Sequence, residues 1–134
     1  MAVAVVDCSA FIACTLPDER PPPALPQALA RVDFVVPALW PTEVANALWV
    51  ALRKGRADDI TLEVARRSLR SRTIEIEPSS IDRSLGDTLA LAQRHQLTVY
   101  DASYLELALR RRIPLATLDE ALAAAAAKVG VARL

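Results

Sequence analysis

The chain has 134 residues, the size of one ordinary domain, and 53% of them are hydrophobic. That share lies slightly above the about 45–50% of typical soluble domains, so it supplies a core and excludes a disordered chain. Sixteen Lys and Arg balance sixteen Asp and Glu, which excludes nucleic-acid binding by bulk positive charge and leaves only a local patch for it.

Residue scarcity excludes more. Three glycines, Gly55, Gly86 and Gly130, cannot write GxGxxG or GxxxxGK[ST], so the glycine-rich phosphate cradles are absent. One histidine, His95, excludes HExxH and multi-histidine zinc sites. Cys8 and Cys14 fit no CxxC pattern and read as reduced thiols in a cytoplasm. The start of the chain has no basic region before its apolar run, and no run of ~18 apolar residues occurs, so the expectation is a soluble cytoplasmic protein with no membrane span.

In chain order, Val3–Val6 is β-branched on both faces and predicts a buried parallel strand ending at Asp7. Ser9 is placed to cap a helix over 10–16, which the proline-rich stretch Pro17–Pro26 breaks; a short helix near 27–31 follows. Val32–Val36 predicts a second strand, closed by Pro37. A helix then runs from about Leu39 or Pro41 to Lys54, with Gly55 just past its end. Asp58 or Asp59 opens another helix, to Arg70. Thr73–Glu77 alternates and predicts an edge strand. Ser79 or Ser80 opens a helix ending near His95-Gln96. Leu97–Tyr100 predicts a fourth strand before Asp101, and residues 102–112 a helix. Pro114–Thr117 predicts a fifth strand before Asp119, Glu120–Lys128 an alanine-rich helix, and Val131–Leu134 a last short strand. Strand–helix alternation without repeat or linker predicts one three-layer α/β domain over residues 1–134, built on a mostly parallel sheet.

Acids follow the predicted strands. Asp7, Asp101 and Asp119 stand just past three of them, where an open parallel sheet places its ligand crevice. Any one of them alone reads as a helix cap; three together point to a shared site. Glu43 lies in the first turn of the helix after the second strand, with Asn46 one turn on, on the same face. Such carboxylates repel one another unless a cation sits among them. Oxygen donors without Cys or His favour Mg²⁺ or Mn²⁺, and that combination suits metal-assisted attack of water on a phosphodiester.

The segments Val5-Val6-Asp7-Cys8-Ser9-Ala10, Pro41-Thr42-Glu43-Val44-Ala45-Asn46-Ala47-Leu48, Tyr100-Asp101-Ala102-Ser103-Tyr104-Leu105-Glu106-Leu107-Ala108 and Leu115-Ala116-Thr117-Leu118-Asp119 resemble the four motifs of PIN domains, more closely those of VapC-type toxins. The likeness spans essentially the whole chain in order, spacing and length. It implies a parallel sheet ordered 3-2-1-4-5, with the first and fourth strands adjacent and Asp7 beside Asp101. It also implies Asp7, Glu43, Asp101 and Asp119 as metal-binding acids, Ser9 and Thr117 as polar helpers, and cleavage of RNA. The expected products carry 5′-phosphate and 3′-hydroxyl ends. Its further implications are a dimer and a cognate antitoxin partner. The proline-rich stretch Pro17–Pro26 departs from the helix pair that often grips the antitoxin.

Other features have plainer readings. Arg53, Lys54 and Arg56, and the run Arg110–Arg112, sit at helix ends and complement helix dipoles better than they serve RNA phosphates. Arg66, Arg67, Arg70 and Arg72 read as a solvated face. Trp40, Trp49 and Tyr104 read as core or interface aromatics rather than base-stacking platforms. The apolar excess and Trp49 suggest a homodimer, and His95 reads as a C-terminal cap. Among competing functions, a haloacid-dehalogenase-type phosphatase needs a second aspartate at position 9, which is Ser9. A signalling receiver lacks its paired acid, phosphoacceptor and lysine in order. A catalytically silent PIN-fold binding protein is the remaining alternative, against which the four acids argue.

Overall fold

The computed structural model describes residues 2–134. Four parallel strands form the sheet: β1 (Ala2–Val6), β2 (Val32–Pro37), β3 (Ile74–Glu77) and β4 (Leu115–Ala116), in the order β3-β2-β1-β4. The register pairs Val5 with Val35 on one side of β1 and with Leu115 on the other. The β-branched runs of β1 and β2 are buried because helices cover both faces of the sheet. β3 is an edge strand, as its alternation predicts.

The helices are α1 (Cys8–Ala13), α2 (Leu25–Ala30), α3 (Trp40–Arg53), α4 (Asp59–Arg70), α5 (Ile81–Arg83), α6 (Leu89–His95), α7 (Val99–Arg111) and α8 (Glu120–Lys128). One continuous core links α1–α4, α7 and α8 to the sheet, with Leu91 of α6 packed against it, while α5 buries no residue. Phe11, Phe34 and Trp40 meet edge to face within the core, and Tyr104 is its largest fully buried side chain. Trp40 is therefore a core aromatic. Pro41 opens α3 where a missing N–H costs nothing. Gly55 follows its end at φ +70°, a backbone region open to glycine at little cost. Asp58 caps α4 by accepting from Thr61 N at 2.9 Å. The helix expected from Ser79 or Ser80 to His95 does start at Ser80, but it bends at Gly86 through a π-helical turn (Ser84–Thr88).

Four expectations need correction. Residues 97–100 form no strand: Gln96 turns the chain in the left-handed region, and Thr98 caps α7 by accepting from Asp101 N at 3.1 Å. The apolar, β-branched run Leu97–Tyr100 is thus the approach and first turn of a helix. Consequently the strand beside β1 is Leu115–Ala116, and the sheet among the described residues has four strands rather than five. The position beyond β4 holds a single parallel bridge, Leu115 to Arg133, in place of the expected terminal strand. Asp7, not Ser9, is the N-cap of α1, because the helix begins at Cys8. Arg72 is not merely solvated: it donates to Leu29 O at 2.9 Å and lies over the Phe34 ring. Its apolar stem packs while its head finds partners. No helix among the described residues is long and apolar enough to cross a membrane.

Candidate active site

The four acids converge at the carboxyl edge of the sheet, each at the start of a helix. Asp7 follows β1 at the N-cap position of α1, where its side chain makes no cap hydrogen bond and turns to Ser9 and Thr117 instead. Glu43 lies in the first turn of α3 and Asp101 in the first turn of α7. Asp119 follows β4 and caps α8, accepting from Leu122 N at 2.8 Å. The positive ends of helix dipoles favour carboxylates there. The loss of the predicted fourth strand does not move Asp101 from this edge, since a first helical turn and a strand terminus deliver a side chain to the same place.

Asp7 is the buried centre, 5% exposed. Its Oδ2 accepts from Ser9 Oγ at 2.8 Å and from Thr117 Oγ1 at 2.7 Å. Both hydroxyls also accept backbone N–H groups: Leu118 N reaches Ser9 Oγ and Asp119 N reaches Thr117 Oγ1, each at 3.0 Å. Ser9 and Thr117 therefore tie the start of α1 to the β4–α8 turn and fix two acids at once. Burial raises the Asp7 pKa above the ordinary carboxylate range, against the lowering effect of the two hydroxyls, and the Asp119 charge raises it further.

The remaining acids are half-buried. Glu43 Oε1 accepts from the phenol of the buried Tyr104, which reaches it from α7, three residues beyond Asp101. Glu43 is pushed up by burial and then by Asp7 and Asp101, while Tyr104 acts the other way. Asp101 is pushed up by burial, then by Asp119 and Asp7. The carboxylates thus feel one another across the crevice. Cys8, beside Asp7, has its thiol pushed up to about 12 by burial and by the Glu43 and Asp7 charges, so it is no nucleophile at neutral pH. Asn46 stays exposed on α3, without a side-chain hydrogen bond among the described residues. Tyr104, which reads from the sequence as a core or interface aromatic, touches this site as well; the signal is a phenol three residues after Asp101, which needs a partner once buried.

The donor set is carboxylate and hydroxyl oxygen throughout, which fits a hard divalent cation. Among the described residues no three His, Cys, Asp or Glu side chains stand close enough together to hold a metal ion as a group. Mg²⁺ is held through one or two carboxylates while keeping several waters, so an open arrangement of acids around Asp7 suits it.

The arginines at the far end of α7 from Asp101, and Arg83, are engaged with other acids. Arg110 pairs with buried Glu106 at 2.8 Å and with Glu77 at 3.4 Å, and Arg111 pairs with Glu75 and Glu77. Arg83 faces Glu106 at 3.6 Å. Together they clasp the edge strand β3 to α7.

Comparison with known proteins bears on the family and the fold. The PIN domain family model matches residues 4–128. Ribonuclease VapC3 of Pyrobaculum aerophilum is 34% identical over 119 residues, 89% of this chain and 91% of that protein. The crystal structure of PAE2754 from Pyrobaculum aerophilum superposes with a TM-score of 0.70 at 27% identity, covering 92% of this chain and 79% of that one. A PilT N-terminus domain protein, SSO1118 from Sulfolobus solfataricus P2, gives a TM-score of 0.49 at 18% identity over 98% of this chain and 85% of that one. With its parallel sheet, its helical layers and its edge of acids, the chain belongs to the PIN-domain family and is of the VapC type.

Proposed function

We propose that the chain is a metal-dependent endoribonuclease and the toxin of a toxin–antitoxin pair. The observation that carries this reading is the convergence of Asp7, Glu43, Asp101 and Asp119 on one sheet edge, in a chain 34% identical to a protein named as a ribonuclease. A Mg²⁺ or Mn²⁺ ion bound there would activate water and neutralise phosphodiester charge.

The chain's own part is to hold that edge in shape. Asp7 would be the central ligand, because its side chain is fixed by two hydroxyls before any ion arrives. Asp101, Asp119 and Glu43 would complete the anionic rim around ion and scissile phosphate. Asn46 stands on the solvent side of α3, one turn from Glu43, where it can meet the RNA rather than the ion.

The partners in this reading are RNA, a cognate antitoxin and a second copy of the chain. Trp49 is 56% exposed, and Ile76, Ile81, Leu85, Val99 and Tyr100 are also uncovered. Such apolar exposure supports association. Free Cys8 and Cys14 suit a reducing cytoplasm.

The test is induced expression of the wild type and Asp101→Asn in a bacterial host, with growth followed and RNA 5′ ends mapped. Arrest with new, discrete 5′ ends in the wild type alone is the expected result. Full activity in Asp101→Asn would overturn the assignment.

A further inference from the structure

Glu43 and Tyr104 come from different helices, 61 residues apart, yet the phenol donates directly to Glu43 Oε1. Tyr104 is wholly buried, so its hydroxyl approaches from inside the core and not from solvent. Glu43 Oε2 has no side-chain or backbone partner among the described residues. Of the two oxygens, then, one is held by the protein and the other is left for the crevice. The same helix supplies Asp101 and, three residues on, this clamp on a second acid. A buried phenol requires a partner, and a glutamate has three torsions to restrain. Each side chain supplies what the other needs.

We infer that Tyr104 is a positioning residue that presents Glu43 to the metal through a single oxygen and thereby biases the site toward six-coordinate Mg²⁺ or Mn²⁺ and against Ca²⁺. Ca²⁺ takes six to eight oxygens and readily uses both oxygens of one carboxylate, whereas Mg²⁺ demands near-octahedral geometry from single oxygens. Residues that orient a metal ligand cost about 10–100-fold in metal affinity when removed. The inference rests on the metal-site reading above.

Mn²⁺ binding to the purified full chain tests it, by calorimetry or by the electron paramagnetic resonance of free Mn²⁺. The wild type, Tyr104→Phe, Glu43→Ala and the double variant are compared, with melting curves to confirm that each is folded. Tyr104→Phe is expected to weaken Mn²⁺ by about 10-fold or more and to let Ca²⁺ displace Mn²⁺ at lower concentration than in the wild type. In the Glu43→Ala background, Tyr104→Phe is expected to change Mn²⁺ affinity no further, because the effect passes through Glu43. Wild-type affinity and wild-type Ca²⁺ competition in Tyr104→Phe would overturn the inference, as would losses that simply add in the double variant. A wild type that takes up no Mn²⁺ would overturn the metal site itself, a different outcome from a wild type that binds with Tyr104 immaterial.

Discussion

Thr117 donates its hydroxyl to Asp7 Oδ2 at 2.7 Å and so joins the carboxyl end of β4 to that of β1. The bond is buried, and the same Thr117 oxygen accepts Asp119 N at 3.0 Å. Thr117→Val keeps the shape but leaves Asp119 N without its acceptor and Asp7 Oδ2 with Ser9 Oγ alone. An unmet buried polar group costs about 1–3 kcal/mol, so urea unfolding should show a loss of that size, and Thr117→Ser should recover most of it. A Val variant as stable as the wild type would show that the hydroxyl does not hold this edge.

Asp7 costs the fold stability at neutral pH. Its pKa is raised in the fold by burial first and by Asp119 after that. The folded protein therefore holds a proton more tightly than the unfolded chain between the ordinary value of 3.8 and the raised one. In that window the native state binds more protons, so stability falls as pH rises through it, and the full cost remains at neutral pH. Asp7→Asn removes the charge and can keep an oxygen facing Ser9 and Thr117, and no side-chain cap hydrogen bond is lost, since Asp7 makes none. Without added metal at pH 7, Asp7→Asn should melt above the wild type, with the gap closing as pH falls toward 4. A variant that melts lower at pH 7 would refute this account of the strain.

Asp101 is the acid best suited to an activity test, because it is half-exposed and no hydrogen bond of the core depends on its carboxylate. Asp101→Asn should keep the fold and the melting profile while RNA cleavage drops by at least ~10²-fold, the order expected when a preorganised electrostatic contribution is removed. Purified protein, a structured RNA and added Mn²⁺ suffice for the comparison.

The placement of the candidate acids at one sheet edge was legible in the sequence, and the reason lies in the acids' neighbours. Asp7 and Asp119 follow short apolar runs that form buried strands, and Glu43 follows Pro41 at a helix start. Position along the chain then fixes their edge of the sheet. Asp101 reached the right edge for the wrong local reason. Leu97-Thr98-Val99-Tyr100 has strand-forming residues, yet Thr98 caps a helix whose inward face, Tyr104, Leu105 and Ala108, packs on the core. Tertiary burial of that face overrides a four-residue preference. The Tyr104–Glu43 contact was not legible because it joins two helices through space, and no local pattern encodes which buried phenol meets which carboxylate.

Trp49 raises the question of assembly. Its ring is exposed beside Arg53, whose guanidinium lies 5.6 Å from the ring centroid. The second uncovered set, Ile76, Ile81, Leu85, Val99 and Tyr100, comes from β3, the α5 region and the start of α7. Light scattering at micromolar concentration should give the mass of a dimer. Leu85→Glu should shift it toward a monomer by placing a charge on an apolar surface that a partner would desolvate. A monomeric wild type would remove the homodimer from the reading.

The arginine run at the end of α7 separates a fold role from an RNA role. Arg110 grips Glu106 with two nitrogens, at 2.8 and 3.3 Å, and Glu106 is buried. Arg111 pairs with Glu75 and Glu77 nearer the surface. Removing Arg110 leaves a buried carboxylate with Arg83, at 3.6 Å, as its remaining cation. Arg110→Met should therefore cost about 1–3 kcal/mol in urea unfolding, while Arg111→Met should cost about 0–1 kcal/mol, as exposed pairs do. Both lie roughly 15 Å along the helix from Asp101, so cleavage per folded molecule should stay at the wild-type level. If Arg110→Met instead weakened RNA binding and flattened its salt dependence with stability intact, the guanidinium would be contacting phosphate, and the run would belong to the RNA surface.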